Sequence, residues 1–201
     1  MKRSLTTTYS APTYLVKTAT IVLLFLGSVG IVGGSFLLRK TFSSTAETQT
    51  ITDISRYKEI RNHLWSNQAP IKHFPTEIPG NASNVRVVYS PAFSQSGSYF
   101  QLRLKQSPQN IEKLLLHYRE ISKYKYIGGN TNDHANLPNG VPTTFFYTSD
   151  SHQDSFPPSY EILVLDAHHK GSRDFKWNHG DTSGVAIDRS ASEIVYWAED
   201  W

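Results

Sequence analysis

The sequence predicts an α+β protein in which one N-terminal transmembrane helix precedes a mostly antiparallel sheet with a packed helix. Three observations predict it: an uncharged run at 18–38, two segments with apolar residues at helical spacing, and several short strand-like runs bounded by turn residues. The chain then divides into an N-terminal tail over 1–17, the transmembrane helix, a linker over 39–52 and a soluble α+β domain over 53–201.

The run 18–38 contains 21 residues and no charge. At a helical rise of about 1.5 Å per residue it spans roughly 31 Å, which matches a hydrocarbon core of about 30 Å. A cleaved signal peptide is the alternative, because Ser44-Thr45-Ala46 offers a small-residue cleavage site. The apolar run is longer than a signal-peptide core of about 7–15 residues, so we predict an uncleaved signal anchor that contacts the lipid bilayer.

Basic residues flank the run on both sides and set its expected orientation. Lys2, Arg3 and Lys17 precede it, and Arg39 and Lys40 follow it. The positive-inside rule then favours a cytoplasmic tail, with the soluble domain on the non-cytoplasmic side of the membrane.

Gly27, Gly30 and Gly34 lie on one stripe of the predicted transmembrane helix. Such a stripe lets a second helix approach closely, and it predicts a homodimer formed through the membrane. The alternative is that these residues reflect only the high glycine content of membrane helices.

Charge and cysteine content exclude several function classes. Residues 41–201 contain 15 basic and 17 acidic residues, a net charge of −2, so the basic character of the chain lies in its first 40 residues. A nucleic-acid-binding face needs clustered cations in the folded part, and we predict no nucleic acid partner. The chain has no cysteine, which excludes disulfides, thiolate catalysis and cysteine-ligated metals.

Two helices and several strands are predicted after the linker. Apolar spacing predicts an amphipathic helix over 53–67, which either packs on the domain or forms a stalk. Strands are predicted at 85–89 and 100–105, followed by a helix over 107–123 with Ser107 as its N-cap. The buried stripe of that second helix is predicted to consist of Ile111, Leu114, Leu115, Tyr118 and Ile121.

The C-terminal half is predicted to be rich in strands. Candidate strands lie at 144–148, 160–166, 184–188 and 193–198. In the last of these, Tyr196 and Trp197 are adjacent and must point to opposite faces of the sheet. One of these rings is therefore expected to lie outside the main core unless something covers the second face, which hints at a partner or at the first helix lying there.

Histidine and aspartate residues at strand ends and in loops are the candidate metal ligands, since imidazole and carboxylate together suit zinc and non-haem iron. Their spacing matches no mechanism-bearing motif, and such residues are also the ordinary composition of turns. The candidates are Asp166, His168, His169, His179 and Asp181, with Asp150, His152, Asp154 and Asp174 nearby.

No nucleophile elbow, dinucleotide fingerprint or phosphate-binding loop is present in the sequence. No catalytic residue and no cofactor is therefore predicted. The favoured function is a membrane-tethered, non-enzymatic interaction or binding domain. The alternative is a metal-assisted hydrolase or metal-binding domain that uses the histidine and aspartate residues of the C-terminal half.

Two strings, HFPTEIP over 73–79 and the C-terminal SGVAIDRS…EIVYWAEDW, carry a family resemblance. From Tyr57 onward the chain resembles uncharacterised, single-pass, membrane-anchored proteins of cyanobacteria. The resemblance implies a plasma or thylakoid membrane location, and it implies no activity, ligand or catalytic residue.

Overall fold

The structure is a computed structural model that describes residues 50–65, 68–92, 97–129, 132, 134–151, 153–172 and 176–201. The chain separates into two units, Met1–Glu47 and Thr48–Trp201, and all described residues lie in the second. The tail, the predicted transmembrane helix with Gly27, Gly30 and Gly34, and most of the linker lie outside the described residues. Within the described ranges, no helix combines the length and apolar composition needed to cross a membrane.

Among the described residues, six strands form one antiparallel sheet. They are β1 (Ser83–Ser90), β2 (Ser98–Lys105), β3 (Tyr124–Ile127), β4 (Glu161–His169), β5 (Gly180–Asp188) and β6 (Glu193–Asp200). Their order across the sheet is β1-β2-β6-β5-β4-β3. The predicted α+β class and the mostly antiparallel sheet are confirmed.

Strand predictions succeeded where alternation was long and failed where it was short. The predicted strands at 85–89, 100–105, 184–188 and 193–198 fall within β1, β2, β5 and β6, and the one at 160–166 begins one residue before β4. The four-residue strand β3 was not predicted. The predicted strand at 144–148 is wrong, because its backbone pairs with the side chain of Gln101 and not with a neighbouring strand.

The predicted second helix is present as α1 (Pro108–Ile121). The hydroxyl of Ser107 caps it by accepting a hydrogen bond from the backbone N–H of Asn110. Three of the predicted stripe residues, Ile111, Leu115 and Tyr118, are buried. Ile121 was predicted to be buried, but 48% of it is exposed, because the helix ends there and Ser122 already adopts an extended conformation.

The predicted first helix is a composite of three short helical turns that packs on the sheet. The turns are Ile54–Arg56, Tyr57–Glu59 and Ile60–Leu64, the last of them a π-type turn. The ring centroids of Tyr57 and Trp65 lie 6.0 and 6.2 Å from that of Phe100 on β2. The alternative of a free stalk is therefore wrong: this segment and α1 cover the same face of the sheet.

Residues 134–151 and 153–160 lie over the opposite face of the sheet; we call them the covering segment. Phe146, Phe156 and Tyr160 of this segment pack on Ile162, Ala186 and Val195 of the sheet. Trp197 is fully buried against Val141 and Val164, while Tyr196 is buried on the helix side. Trp197 thus lies outside the main cluster that contains Tyr196, and the covering segment, not a partner or the first helix, covers the second face.

Gly184 provides the space that this second layer needs. A Cβ atom at Gly184 would lie 2.9 Å from Cζ2 of Trp197 and 2.3 Å from the carbonyl oxygen of Leu163. The indole of Trp197 can lie flat across the sheet only because this position has no side chain.

Two polar side chains of β2 hold the covering segment. Gln101, which is fully buried, donates from Nε2 to Thr144 Oγ1 at 2.8 Å and to the Phe145 carbonyl at 2.5 Å. Its Oε1 accepts from the backbone N–H of Thr148 at 3.2 Å. Arg103 donates to the Thr148 carbonyl at 2.9 Å and pairs with the buried Glu193 at 2.8 Å. These contacts hold residues 144–148 of the covering segment on β2.

Candidate functional site

Three of the predicted metal-ligand candidates, Asp166, His168 and Asp181, meet where β4 ends and β5 begins. Asp181 is the register partner of His168, and His168 Nδ1 lies 2.9 Å from Asp181 Oδ1. His168 Nε2 lies 3.5 Å from Asp166 Oδ1. One imidazole thus lies between two carboxylates.

Lysine side chains already occupy these carboxylates. Lys123 Nζ lies 2.6 Å from Asp166, and Lys170 Nζ lies 2.9 Å from Asp181 and 3.2 Å from Asp200. Burial tends to raise the pKa of Asp166, but the hydrogen bond from Lys123 and the charge of His168 outweigh it and lower that pKa. The hydrogen bond to Asp181 raises the pKa of Lys170. This arrangement is an ion-pair network in which ammonium groups take the places that a metal cation would take.

The other candidates do not join this cluster. His169 packs its ring against Trp177, with centroids 5.4 Å apart, and its Nδ1 accepts the backbone N–H of Gly171. His179 is exposed, and its carbonyl accepts the backbone N–H of Lys170. Asp150 pairs with Arg86 and Arg103. His152 and Asp174 lie outside the described residues, and in the part of the chain that is described no group of three or more histidine and acidic side chains could hold a metal ion.

A cleft of about 430 Å³ lies elsewhere, between the end of β6 and the covering segment. One wall comes from the start of β2, the floor from the last residues of the sheet, and the other wall from the covering segment. The lining residues are Gly97, Ser98, Tyr99, Asn132, Pro142, Thr143, Phe145, Tyr147, Glu199, Asp200 and Trp201.

The cleft is walled mainly by aromatic rings. Tyr99 and Tyr147 stack face to face with centroids 3.8 Å apart and planes 8° from parallel. Phe145 lies edge-on to Tyr147 at 5.9 Å, and 53% of Phe145 is exposed. Trp201 is fixed by a 2.8 Å hydrogen bond from its indole N–H to the Trp177 carbonyl. Hydrogen bonds and stacking therefore preset the orientation of these rings.

Glu199 is the acidic group at the centre of this arrangement. It is the register partner of Tyr99 on β2 and of Thr182 on β5, so the three side chains share the face under the cleft. Its Oε1 accepts a 2.5 Å hydrogen bond from the hydroxyl of Thr144. Glu199 also accepts hydrogen bonds from the Tyr147 hydroxyl and the Phe145 backbone N–H.

Burial is the main influence on the ionisation of Glu199. Removal from water raises the pKa of Glu199 to about 7, and the hydrogen bonds from Thr144, Tyr147 and Phe145 oppose that rise. Burial and the nearby charge of Glu199 raise the pKa of Tyr147 as well, so its hydroxyl stays a donor at neutral pH. The cleft therefore contains a carboxyl group that changes its charge near neutral pH.

Sequence reasoning missed this site. The relevant signal was the alternation Glu193, Val195, Trp197, Glu199 along one face of β6, in which two acids share a face with two large apolar residues. That face is apolar enough to be covered, and covered acids are candidate functional groups. The sequence did not indicate which segment covers it.

No protein-family model, curated protein or solved structure matches this chain.

Proposed function

We propose that the chain is a single-pass, membrane-anchored, non-enzymatic binding domain, and that the cleft beside Glu199 binds a small organic molecule. The observation that carries this proposal is the cleft itself: a concavity of about 430 Å³ with aromatic walls and a few converging polar groups. Ligand sites in proteins typically have this size and this mixture of apolar walls and placed polar atoms.

The polar groups of the cleft suit binding better than catalysis. The Glu199 carboxylate accepts from Thr144, Tyr147 and Phe145, so its lone pairs are largely engaged in holding the covering segment. The described residues that line the cleft include no histidine, lysine or cysteine that could form a nucleophile–base pair. The alternative of metal-assisted hydrolysis would use Asp166, His168 and Asp181, and the lysines on those carboxylates disfavour it.

The anchor part of the proposal comes from the sequence. The uncharged run at 18–38 and the flanking cations favour a signal anchor, with the soluble domain on the non-cytoplasmic side. Alkaline carbonate extraction of membranes should leave the full-length chain in the pellet. Recovery of a shortened chain in the supernatant would overturn the anchor and favour the cleaved signal peptide.

The binding part is tested with three probes of one shape and different charge: benzylammonium, benzyl alcohol and benzoate. Each is titrated into the full chain in detergent micelles while the indole N–H signal of Trp201 is followed by NMR. We expect at least one probe to shift that signal in a saturable way, because Trp201 lines the cleft.

Two alanine variants give the matched comparison. Phe145 and Ile127 are exposed to similar degrees, 53% and 62%, but only Phe145 lines the cleft. Phe145→Ala should weaken the binding of whichever probe binds, and Ile127→Ala should leave it unchanged. Absence of saturable binding for all three probes, or equal effects of the two variants, would overturn a ligand site in this cleft.

A further inference from the structure

Glu199 is the acidic side chain on the cleft face of β6. Asp200 follows it on the strand and points to the other face, where its carboxylate pairs with Lys170. Among the described lining residues there is no lysine, arginine or histidine, so the Glu199 carboxylate has no cationic partner in the described structure. A partly buried carboxylate of this kind is complementary to a positive charge.

The aromatic walls favour the same sign of charge. Tyr99, Phe145, Tyr147 and Trp201 all line the cleft, and aromatic faces attract cations through their negative quadrupole. The stack of Tyr99 on Tyr147 fixes two of these rings relative to Glu199, which is in register with Tyr99. The rings of Tyr99 and Tyr147 would therefore already be in place before a cation binds, and binding would not have to order them.

The sheet beneath the cleft carries a second polar group. Thr182 lies directly opposite Glu199 in the β5–β6 register and on the same face. Its hydroxyl is fully buried and has no hydrogen-bond partner among the described residues. Thr182 is not among the residues that line the cleft, so its hydroxyl is a buried polar group of the sheet below the cleft and does not itself contact a ligand.

We infer that the cleft takes a small organic cation, an alkylammonium or arylalkylammonium compound, with its charge at Glu199 and its apolar part against the aromatic walls. This inference rests on the proposed function, and it adds the chemical class of the ligand. A neutral compound of the same shape would gain the aromatic contacts only. An anion would in addition be repelled by Glu199.

Affinity ratios among the three probes test the charge preference separately from binding itself. At pH 8, where Glu199 is ionised, benzylammonium should bind the full chain about tenfold more tightly than benzyl alcohol, and benzoate more weakly than either. Glu199→Gln should remove this preference, so that benzylammonium and benzyl alcohol bind with the same affinity. Glu77→Gln, a change at an exposed acid on the chain surface, should alter neither.

The pH offers the same comparison without a mutation. Lowering the pH from 8 to 5 protonates Glu199, so the preference for benzylammonium should disappear while benzyl alcohol binds as before. The titratable groups that face Glu199 are Tyr99 on β2 and Tyr147 of the covering segment. Burial and the charge of Glu199 raise the pKa of the Tyr147 hydroxyl, so it keeps its proton in this range.

A free amine and the ammonium headgroup of a lipid share this chemistry, and vesicles separate the two sources. If the ligand is a lipid headgroup, phosphatidylcholine vesicles should displace benzylammonium and phosphatidylglycerol vesicles should not. If the ligand is a free amine, neither kind of vesicle should displace it. Both results are consistent with a cation site. Equal or tighter binding of benzyl alcohol or benzoate at pH 8, with Phe145→Ala still weakening it, would overturn the cation inference and leave the proposed binding function standing.

Discussion

The hydroxyl of Thr144 in the covering segment donates a 2.5 Å hydrogen bond to Oε1 of Glu199 on β6. The two residues are 55 positions apart in the chain. Thr144 also accepts from the buried Gln101, so one hydroxyl connects the carboxyl group of the cleft to the residue that holds the covering segment on the sheet. The cleft and the second hydrophobic layer thus depend on one set of hydrogen bonds.

Thr144→Val should destabilise the protein by about 1–3 kcal/mol. Valine keeps the shape of threonine, but it leaves Gln101 Nε2 and Glu199 Oε1 each with one partner fewer. Thermal denaturation of the full chain in detergent measures the change. The control is Thr52→Val, at an exposed position. Equal stabilities for the two variants would show that the Thr144 hydroxyl does not hold the covering segment.

Leu115→Ala should cost about 2–5 kcal/mol, the usual range for a buried leucine. Leu115 is buried between α1 and the sheet. Its neighbour Leu116 on the same helix is 57% exposed, so Leu116→Ala should change stability by no more than about 0.5 kcal/mol. Denaturant unfolding of both variants tests this difference, and similar losses would mean that α1 is assigned to the wrong face.

Stability should depend on pH through Glu199. The pKa of Glu199 is raised from 4.5 to about 7 in the folded state, so the folded state binds its proton more tightly than the unfolded state does. The resulting stabilisation is complete below pH 4.5 and is lost as the pH rises through 7. Burial lowers the pKa of His73 to about 4, so His73 makes the protein more stable as the pH rises. This effect is the same in the wild type and in Glu199→Gln, so it does not enter their difference.

The measurement for this prediction is the free energy of unfolding of wild type and Glu199→Gln at pH 5 and pH 8. The wild type should lose about 1–3 kcal/mol relative to the variant between the two pH values, after allowance for the partial exposure of Glu199. A difference between the two proteins that stays constant with pH would count against a raised pKa at this residue.

Gly30→Ile should abolish dimerisation through the predicted transmembrane helix. On that predicted helix Gly27, Gly30 and Gly34 would lie on one stripe, and close backbone packing is the interaction that drives association in hydrocarbon. Val29→Ile adds bulk on a different side of the helix and should be neutral. A two-hybrid assay for membrane helices compares the three sequences. The same signal from all of them would indicate that the glycines reflect membrane-helix composition only.

Local periodicity explains which parts of the fold were predictable. The strand β2 and the helix α1 were predicted because Phe100, Leu102 and Leu104 alternate, and Ile111, Leu115 and Tyr118 recur at helical spacing. The strand β3 was missed because its alternation covers only the four residues Tyr124–Ile127. Short alternating runs do not differ enough from loop sequences to be assigned.

The second layer and the cleft could not be predicted, because long-range polar contacts build them. The covering segment has no period; it is held by Gln101 and Arg103, more than 40 positions earlier in the chain. Phe145 is an example. It was predicted to lie in a strand, but its carbonyl accepts a hydrogen bond from the Gln101 side chain. Side-chain pairing of this kind leaves no periodic signal in a sequence.

The ionisation of Glu199 is the central claim of this account, and ¹³C NMR of its side-chain carboxyl carbon measures it directly. The full chain is titrated in detergent micelles from pH 4 to pH 9, with Glu199→Gln to assign the signal. The cleft geometry predicts a pKa of about 7 for Glu199, which falls when saturating benzylammonium is present because the bound cation stabilises the carboxylate. A pKa close to the ordinary value of 4.5, unchanged by benzylammonium, would contradict both the buried carboxyl group and the cation site built on it.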